Sequence, residues 1–527
     1  MSACEDDLKD LQFWGFEKEN LSREAQEGLD HIFSGDLFRS ALPVSIYKDF
    51  LKDDSVDGVK ISSQKGQFMM YGRLPSPSKR EGTLPWVFLS LGNSIVKRQG
   101  SYFISENCFS CHAGVVNGKV VAGMGNSHID QTSIYSDLQK LIAYSKSKRP
   151  IQSDNEEEEF LHFLNYAETV MMPIFRFAKS RGDNLGPFGV WRNISRLVDP
   201  QKQGLKMYLS SEKGPLDDWF YSQYLVTVDP NPWWHLKYKK SCYRYGDADP
   251  YDANHFSMNF THSHPLVNEN HETHVRMISK ALAFARETTS PVYPHTLDAF
   301  KVELGRRLFH GELKPKQGEA LSCYRCHGVY EKRIEFLDFS RPGGWEVYYR
   351  DKNPIDVGTD PVYSSLLLGF SQLTERLQLL SDYYDRQGKP ELTPQFHIPK
   401  KEGYVCPPLD GVWASAPYFH NGSVPTIELV LNSKKRPTFW KREFKNPFLY
   451  DLRNLGLIYQ EVSNEEYKKL MKETTLDSVH FRSVYNTQDI GRHNTGHTFG
   501  DILTDEERIV VIEFLKSLSG MDMKKAH

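Results

Sequence analysis

Apolar residues recur at helical spacing in two stretches of the C-terminal half of the chain. Phe300, Leu304 and Leu308 stand at every fourth position, which places them on one face of a predicted helix. The second stretch opens with Thr504-Asp-Glu-Glu507, a capping box. The apolar stripe that follows the capping box is Val511, Ile512, Leu515 and Leu518. We expect these two helices to cross and to frame one domain.

Elsewhere, helical periodicity alternates with stretches rich in proline and glycine. Residues 272–288 have helical spacing, and Ser290-Pro291 with Pro294 then interrupts the pattern. We therefore predict a mainly α fold with extensive loops. Its three parts are a helical extension over 1–64, a first domain over 65–290 with an aromatic-rich insertion, and a second domain over 291–527.

The motif C-x-x-C-H occurs twice in the sequence. We call Cys108-Phe-Ser-Cys111-His112 the first attachment site and Cys323-Tyr-Arg-Cys326-His327 the second attachment site. This motif is the signature of covalent c-type haem, in which both thiols join the porphyrin and the histidine becomes the proximal iron ligand. Zinc is the alternative, but paired zinc motifs are usually closer together and do not need a histidine after each pair. The sequence thus predicts two covalently bound haems and two cytochrome c-like haem domains.

A short hairpin is predicted next to the first haem. Residues 113–118 and 120–126 combine β-branched residues with glycine turns, a pattern typical of two short paired strands.

Composition narrows the function classes. The chain has 527 residues, 39% of them hydrophobic, and a net charge of -3, which favours neither nucleic acid nor an anionic membrane as partner. Its 27 Tyr, 31 Phe and 9 Trp suit packing around large flat macrocycles. There is no run of about 18 apolar residues, so no membrane span is expected.

Three of the seven cysteines lie outside the attachment motifs. Haem is attached to this motif outside the bacterial cytoplasm, so we expect a periplasmic or secreted protein. No export signal opens the sequence, which indicates a mature or engineered form. Cys4 follows Ser-Ala, as a lipidated cysteine would, or is an ordinary terminal cysteine. Cys242 and Cys406 could form a disulfide in an oxidising compartment.

An aromatic segment lies between the two attachment sites. It contains Trp233-Trp234, Phe256 and Phe260, which are candidates to line a catalytic pocket; the tryptophans could also carry electrons. Its histidines are His255, His262 and His264, and we favour surface or hydrogen-bonded roles for them over metal binding. Met172 precedes Pro173 and is either a distal ligand of the first haem or, as we favour, a core residue.

The densest resemblance to a known family begins near residue 300. Its segments are Gly358-Thr-Asp-Pro361, Gly403–Thr426, Arg436-Pro437 and Asn494-Thr-Gly-His497-Thr-Phe-Gly500. They resemble the dihaem c-type family of bacterial rubber oxygenases and related fatty-acid dioxygenases, a distant branch of the dihaem cytochrome c peroxidase superfamily. The match is thinner over 65–130 and weakest over 135–290, where substrate specificity would lie.

The resemblance implies roles for individual residues. His112 and His327 match the proximal ligands, and His497 matches a distal ligand that closes the second haem; His493 and His480 compete for that role. Trp233-Trp234 resembles an aromatic segment near the oxygen-binding haem. A structural or inter-haem role is expected for the loop residue His420. Peroxidases of the superfamily often use Met at one haem, so the histidine-rich ending departs from them.

Three functions follow as alternatives. The first is an oxygenase that takes O2 and an apolar olefin, a polyisoprenoid or an unsaturated fatty acid, at the first haem. The second is a peroxidase that reduces H2O2, and the third is an electron-transfer protein with Met172 closing the first haem. A redox partner protein is compatible with each, and a membrane is expected only through a lipid on Cys4.

Overall fold

The fold was analysed in a computed structural model. It describes residues 8–520 except for 9, 38–40, 51–54, 78–89, 148–152, 173–177, 184–197, 200–203, 206–226, 247, 261–270, 351–352, 369–377, 379–380, 383, 387, 398–400 and 475–477.

Among the described residues, the helices are short apart from five that exceed eleven residues. Several helices begin at a hydroxyl side chain that accepts a backbone N–H of the first turn. These N-cap residues are Ser22, Ser63, Ser153 and Thr504. The described α-helices are Arg23–Ser34, Val44–Phe50, Gln64–Tyr71, Phe109–His112, Gln131–Ser147, Asp154–Tyr166, Ala253–Phe260, His271–Glu287, Ala299–Phe309, Tyr324–His327, Val362–Leu368, Ile427–Val430, Asn464–Glu473, Val479–Arg482 and Asp505–Ser517. Shorter 3-10 turns include Trp233–Tyr238, Val412–Ala414 and Phe499–Ile502, and a π turn spans Ala167–Met171.

The strands contradict the predicted mainly α fold. Among the described residues 41% are helical and 16% are in strands, so the fold is mixed α/β. The strands form sheets of two or three members. They are Gln12–Trp14, Ala41–Pro43, Ser55–Val56, Val59–Lys60, Asn93–Arg98, Ser101–Glu106, Ala113–Val116, Lys119–Ala122, Val198–Asp199, Gly204–Leu205, Val329–Lys332, Trp345–Tyr348, Phe439–Arg442, Tyr459–Glu461 and Val484–Asn486.

A recurring two-residue turn explains why the mainly α prediction was wrong. Asp57-Gly58, Gln99-Gly100 and Asn117-Gly118 each have positive φ at both residues, and each joins two antiparallel strands. Positive φ at both central positions matches the right-handed twist of a hairpin. The sequence analysis used only the last of these turns, and the hairpin that it predicted after His112 is confirmed.

The two framing helices of the C-terminal half cross as predicted. A Cβ atom at Gly305 would lie 2.0 Å from the carbonyl oxygen of Val510, so only glycine permits this approach. The capping box of Thr504 and Glu507 is also confirmed. The predicted apolar face is wrong at Phe300, which is 77% exposed, because the buried face is formed by Val302, Gly305, Leu308 and Phe309.

A buried ion network joins segments from the two halves of the chain. The Nε atom of Arg482 donates to both carboxylate oxygens of Asp130, at 3.0 and 2.8 Å. Arg492 pairs with Asp183, and Arg181 also approaches Asp130, at 3.6 Å. All five side chains are fully buried. Removing one partner of a buried pair typically costs about 3–5 kcal/mol, because the other charge is left uncompensated.

The main apolar core also draws on both halves. Val116, Val121 and Met124 pack in one cluster with residues from 234 to 518. The boundary at residue 290 stays a prediction. Within the described ranges, every helix is too short or too polar to traverse a lipid bilayer.

Candidate functional site

Both attachment sites fold as the same single helical turn. The backbone N–H of His112 donates to the carbonyl of Cys108 at 3.0 Å, and that of His327 donates to the carbonyl of Cys323 at the same distance. The turns occupy Phe109–His112 and Tyr324–His327. One turn of helix brings the two thiols of each motif to one side of the adjacent histidine, as covalent haem attachment needs.

Burial sets the protonation of the residues in these turns. It raises the pKa of the Cys108 and Cys323 thiols to about 12. Burial lowers the pKa of His112 to about 4, against a smaller opposing effect of the Asn231 backbone. The imidazole of His112 is therefore neutral at physiological pH, which is the form that binds a metal.

Hydrogen bonds fix the orientation of His327. Its Nδ1 atom lies 2.8 Å from the carbonyl oxygen of Pro407. A carbonyl can only accept, so Nδ1 carries the proton and Nε2 keeps its lone pair for a metal. Tyr330 completes the link, because its hydroxyl donates to the carbonyl of His327 at 2.8 Å and accepts the N–H of Leu409 at 2.7 Å.

A second imidazole faces His327. The ring centroids of His327 and His497 are 6.2 Å apart. Two metal–imidazole bonds of about 2 Å each would separate the centroids of two axial ligands by roughly this distance. Burial lowers the pKa of His497 to about 4, and the His327 ring and the Arg436 cation lower it further. The pair therefore has the spacing of two axial ligands, His497 is neutral at physiological pH, and iron ligation by His497 stays a prediction.

The loop that carries His497 is held by its backbone. The N–H of His497 donates to the carbonyl of Val357 at 2.8 Å. Gly496 has φ +75°, and a Cβ atom there would lie 2.1 Å from the backbone of Gly358, so this position requires glycine. The guanidinium of Arg436 donates to the carbonyls of Asn494, Gly496 and His497. The ring position thus depends on backbone contacts more than on packing.

A cavity of about 490 Å³ lies at the second attachment site. Its wall includes Cys323, Cys326, His327 and His497. Most of the remaining lining is apolar, including Phe309, Leu321, Val412, Leu431 and Leu515. Sites of this size and character hold cofactors and drug-sized ligands. Two thiols, two facing imidazoles and an apolar lining fit a c-type haem.

The first attachment site has a different neighbour. Trp233 stacks on His112 with 4.9 Å between ring centroids and 26° between planes. Gly123 fixes this stack, because its N–H donates to the carbonyl of His112 and its carbonyl accepts the N–H of Trp233, both at 2.8 Å. Phe109 packs against Trp233 and three further aromatic rings, Phe16, Phe33 and Phe284.

The adjacent Trp234 bonds the segment that follows Pro407. Its indole N–H donates to the carbonyl of Asp410 at 2.9 Å, and His235 Nε2 lies 2.9 Å from the same oxygen. Asp410 follows Pro407, whose carbonyl orients His327. Of two consecutive tryptophans, one thus stacks on His112 and the next bonds the segment that follows Pro407.

Of the other predicted pocket residues, Phe256 packs against the apolar cluster that also includes Phe109 and Trp233. Phe256 packs near Tyr243 and His255, at 6.2 and 5.3 Å between centroids. Phe260 ends the helix Ala253–Phe260, and its side chain lies outside the described residues, as do His262 and His264. Tyr243 hydroxyl and His255 Nε2 are 3.1 Å apart. Roles for Phe256 and Phe260 in catalysis therefore stay predictions.

Met172 packs in an apolar cluster. Its neighbours there include Tyr71, Ile134, Leu138 and Met171. These contacts agree with the core interpretation of Met172.

The competing histidines have partners of their own. His493 Nδ1 lies 3.2 Å from the Asp360 carboxylate, and His480 Nε2 lies 3.1 Å from that of Asp57. His420 stacks on Tyr404 with 3.9 Å between centroids. Of the three, only His420 lines the cavity.

The remaining cysteines are not joined to each other. No disulfide links Cys242 with Cys406, although both lie in the described part of the chain. The Cys242 thiol contacts the Ala248 carbonyl at 3.3 Å instead. Cys4 lies outside the described residues.

Three residues of the second attachment site were not predicted from the sequence. One is Pro407, whose carbonyl orients His327. The others are Asp229 and Arg244, which form an ion pair with atoms 2.9 Å apart in the cavity wall. The Cys406-Pro407-Pro408 run was a usable signal. Prolines lack the N–H that a helix or a strand ladder needs, so the carbonyls of such a run are available to accept from side chains. No local pattern marks Arg244, because it reaches the cavity from a distant segment.

These features define a c-type cytochrome site with oxidoreductase chemistry. Residues 403–441, which include Tyr404, Pro407 and His420, match the family described as RoxA-like, cytochrome c-like. The chain therefore contains a RoxA-like cytochrome c domain, which implies c-type haem.

Two relatives come from Sinorhizobium fredii (strain NBRC 101917 / NGR234). The chain is 32% identical to uncharacterized protein y4iJ over 250 residues, 38% of each protein. It is 31% identical to uncharacterized protein y4iM over 99 residues, 19% of this chain and 20% of the relative. The matches thus span less than two fifths of either relative.

Proposed function

We propose that the chain is a dihaem c-type oxygenase that adds O2 to a carbon–carbon double bond of an apolar substrate. The reaction is assigned to the first attachment site, and the substrate class is a polyisoprenoid or an unsaturated fatty acid. The haem at the second attachment site holds the resting redox state. A dioxygenase that incorporates both oxygen atoms needs no net external electrons.

The difference between the partners of the two proximal histidines carries this proposal. His497 faces His327 at the spacing of a second axial ligand, so the second attachment site offers no position for O2. The ring that contacts His112 is the indole of Trp233, which stacks on the imidazole at 4.9 Å and so lies on the proximal side; no second imidazole faces His112 among the described residues. In the described part of the chain, the first attachment site is therefore the one suited to binding a diatomic ligand.

The surroundings of the first attachment site support an apolar substrate. Phe109 and Phe284 pack against Trp233, and Phe16 and Phe33 pack against Phe109; apolar, water-poor surroundings of a haem favour O2 binding. The bound haem supplies the iron that takes up O2. The chain's own residues orient His112 and exclude water, and burial of an olefin contributes about 25 cal/mol per Å² of apolar surface.

The test is incubation with an unsaturated fatty acid or polyisoprene under ¹⁸O2. We expect labelled hydroperoxide or carbonyl products, lost in a His112→Ala variant and retained in His493→Ala, whose side chain pairs with Asp360. No O2 uptake with either substrate class would refute the proposed reaction.

Haem stoichiometry is tested separately. We expect intact mass spectrometry of protein matured in a bacterial periplasm to show the polypeptide plus two haem masses. A Cys108→Ser/Cys111→Ser variant should lose one haem, and so should Cys323→Ser/Cys326→Ser. A gain of one haem in the parent protein would contradict the dihaem assignment.

A peroxidase is the second candidate, and one observation favours it. Trp233 touches His112, while Trp234 binds the segment that orients His327. Consecutive indoles suit electron delivery from the second haem to H2O2 at the first. Rapid H2O2-dependent oxidation of a reduced redox partner, with no olefin oxidation, would establish this function.

Location follows from the cofactor. We propose a periplasmic or secreted protein, because c-type haem is attached outside the bacterial cytoplasm. A lipid on Cys4 would tether it to a membrane, and metabolic labelling with a palmitate analogue, compared with Cys4→Ser, tests this.

A further inference from the structure

The charge balance of the cavity at the second attachment site is uneven. Arg244 is the only Lys or Arg among the described residues that line it, whereas Asp229 and Glu319 are acidic. A haem brings two carboxylates into this cavity. The cysteines bind the vinyl edge of the macrocycle, so the carboxylates at the opposite edge must find donors elsewhere in the wall.

Arg244 uses only some of its N–H donors in bonds to Asp229. Its Nη2 atom donates to the Asp229 carboxylate at 2.9 Å and to the Asp229 carbonyl at 3.0 Å, and Nε is 3.3 Å from that carbonyl. Within the described structure, Nη1 makes no hydrogen bond. A guanidinium held on one side in this way presents its remaining N–H groups in a fixed direction. Asp229 therefore positions Arg244 without saturating it.

His420 offers a second donor. It is 6% exposed, and its buried Nε2 atom has no hydrogen-bond partner among the described residues. Burial lowers the pKa of His420 to about 3, and the Arg244 cation lowers it further, so the ring is neutral. A buried polar nitrogen without a partner is costly unless a ligand satisfies it. The carbonyl of His420 accepts the N–H of Asp229 at 2.7 Å, which links His420 to the Asp229–Arg244 pair.

We propose that Arg244 and His420 form the binding site for the carboxylates of the haem at the second attachment site. Nη1 of Arg244 and Nε2 of His420 are the donors, and Asp229 is the positioning residue for the guanidinium. Charge-assisted hydrogen bonds from arginine to carboxylate are among the strongest in proteins. The inference rests on a haem at this site and is independent of the oxygenase proposal.

The experiment uses the full dihaem protein and the low-spin haem signal that disappears in His497→Ala. In Arg244→Gln, the carboxylate bending band of that haem in the resonance Raman spectrum should shift, because a hydrogen bond to the carboxylate is lost. The midpoint potential of the same haem should fall, because removal of a nearby cation favours the ferric state. Compared with Arg244→Gln, Arg244→Lys should restore most of the midpoint potential but not the position of the Raman band. Lysine keeps the positive charge but lacks the planar guanidinium that donates two parallel hydrogen bonds.

His420→Phe separates hydrogen bonding from charge. Phenylalanine keeps a ring on Tyr404 but has no donor, so the Raman band should shift with little change in potential. Arg325→Gln is the matched control, because Arg325 is a solvent-exposed cation within the second attachment motif. It should leave the band unchanged and lower the potential less than Arg244→Gln does.

Two results would overturn the inference. One is an unchanged carboxylate band in both Arg244→Gln and His420→Phe, together with a potential shift no larger than that of Arg325→Gln. If Arg244→Gln does not mature, an unchanged band in Arg244→Lys has the same weight. The other is the absence of any low-spin signal that depends on His497, which would remove the haem from this cavity; labelled-oxygen products would still test the oxygenase independently.

Discussion

The two attachment sites start from the same turn and end in different surroundings. In each, the histidine N–H donates to the carbonyl of the first cysteine at 3.0 Å. At the second site an imidazole faces His327 across a cavity, whereas at the first site an indole lies alongside His112. The attachment motif therefore sets the proximal side only, and residues distant in sequence decide whether iron can bind a substrate.

The rings next to His327 and His112 also differ in how they are held. The loop of His497 is fixed by backbone hydrogen bonds and the Arg436 guanidinium. Trp233 is fixed by Gly123 and a surrounding group of phenylalanines. Backbone hydrogen bonds thus place both rings, and the ring beside His112 is in addition enclosed by aromatic side chains.

The largest expected effect is loss of the distal ligand at the second site. His497→Ala should convert one low-spin haem to a high-spin or water-bound form, because the variant removes the imidazole that faces His327. Electron paramagnetic resonance would show the change. His493→Ala is the control and should leave both haems unaltered; a spectrum unchanged by His497→Ala would remove the proposed difference between the sites.

Gly496 and Gly123 both have positive φ. Alanine at Gly496 should disturb the second attachment site only, and alanine at Gly123 the first attachment site only. Gly496→Ala forces a Cβ atom to within 2.1 Å of the Gly358 backbone, and Gly123→Ala to within 2.9 Å of Trp233 Cβ. Each should lower the free energy of unfolding by about 1–3 kcal/mol. Denaturant titration measures this, and the absorption spectrum should change at the second haem for Gly496→Ala and at the first for Gly123→Ala. The same spectral change in both variants would contradict the assignment.

A smaller effect is expected at the tryptophan pair. Trp234→Phe loses the hydrogen bond to Asp410 and should cost about 1 kcal/mol, with the potential of the second haem altered. Trp233→Phe keeps a ring beside His112 and should alter only the first haem. Separate redox titrations of the two haems would test this, and equal shifts of both potentials in either variant would argue against separate roles.

The smallest effect is expected for Met172→Leu. A near-isosteric change in an apolar cluster usually costs less than about 1.5 kcal/mol. Neither haem spectrum should change, as checked by near-infrared absorption of the ferric protein, where sulfur ligation to iron is visible. A band that disappears in this variant would make Met172 the distal ligand of the first haem and favour the electron-transfer function.

Local sequence signals predicted local structure well. The capping box at Thr504 and the Asn117-Gly118 hairpin are governed by residues within a few positions of each other. The mainly α prediction was wrong for the same reason, because Gln99-Gly100 closes a six-pair hairpin with only one residue of the usual turn chemistry. Phe300 was misplaced because spacing alone does not show which face of a helix meets its neighbour.

Long-range contacts could not be predicted in this way. The stack of Trp233 on His112 depends on two hydrogen bonds of Gly123, and the orientation of His327 depends on a backbone carbonyl, which every residue has. Arg244 approaches the cavity from a segment with no motif. Such contacts follow from the path of the backbone in space and leave no mark in residue type or spacing.

The buried ion network has a consequence for biosynthesis. Asp130 and Asp183, which lie downstream of the first attachment motif, find their arginine partners at positions 482 and 492. A growing chain delivers those arginines last, so the buried carboxylates of Asp130 and Asp183 stay uncompensated until residues 482 and 492 have been made. The part of the chain that follows Cys108 and Cys111 therefore cannot complete its interior before the C-terminal part joins it.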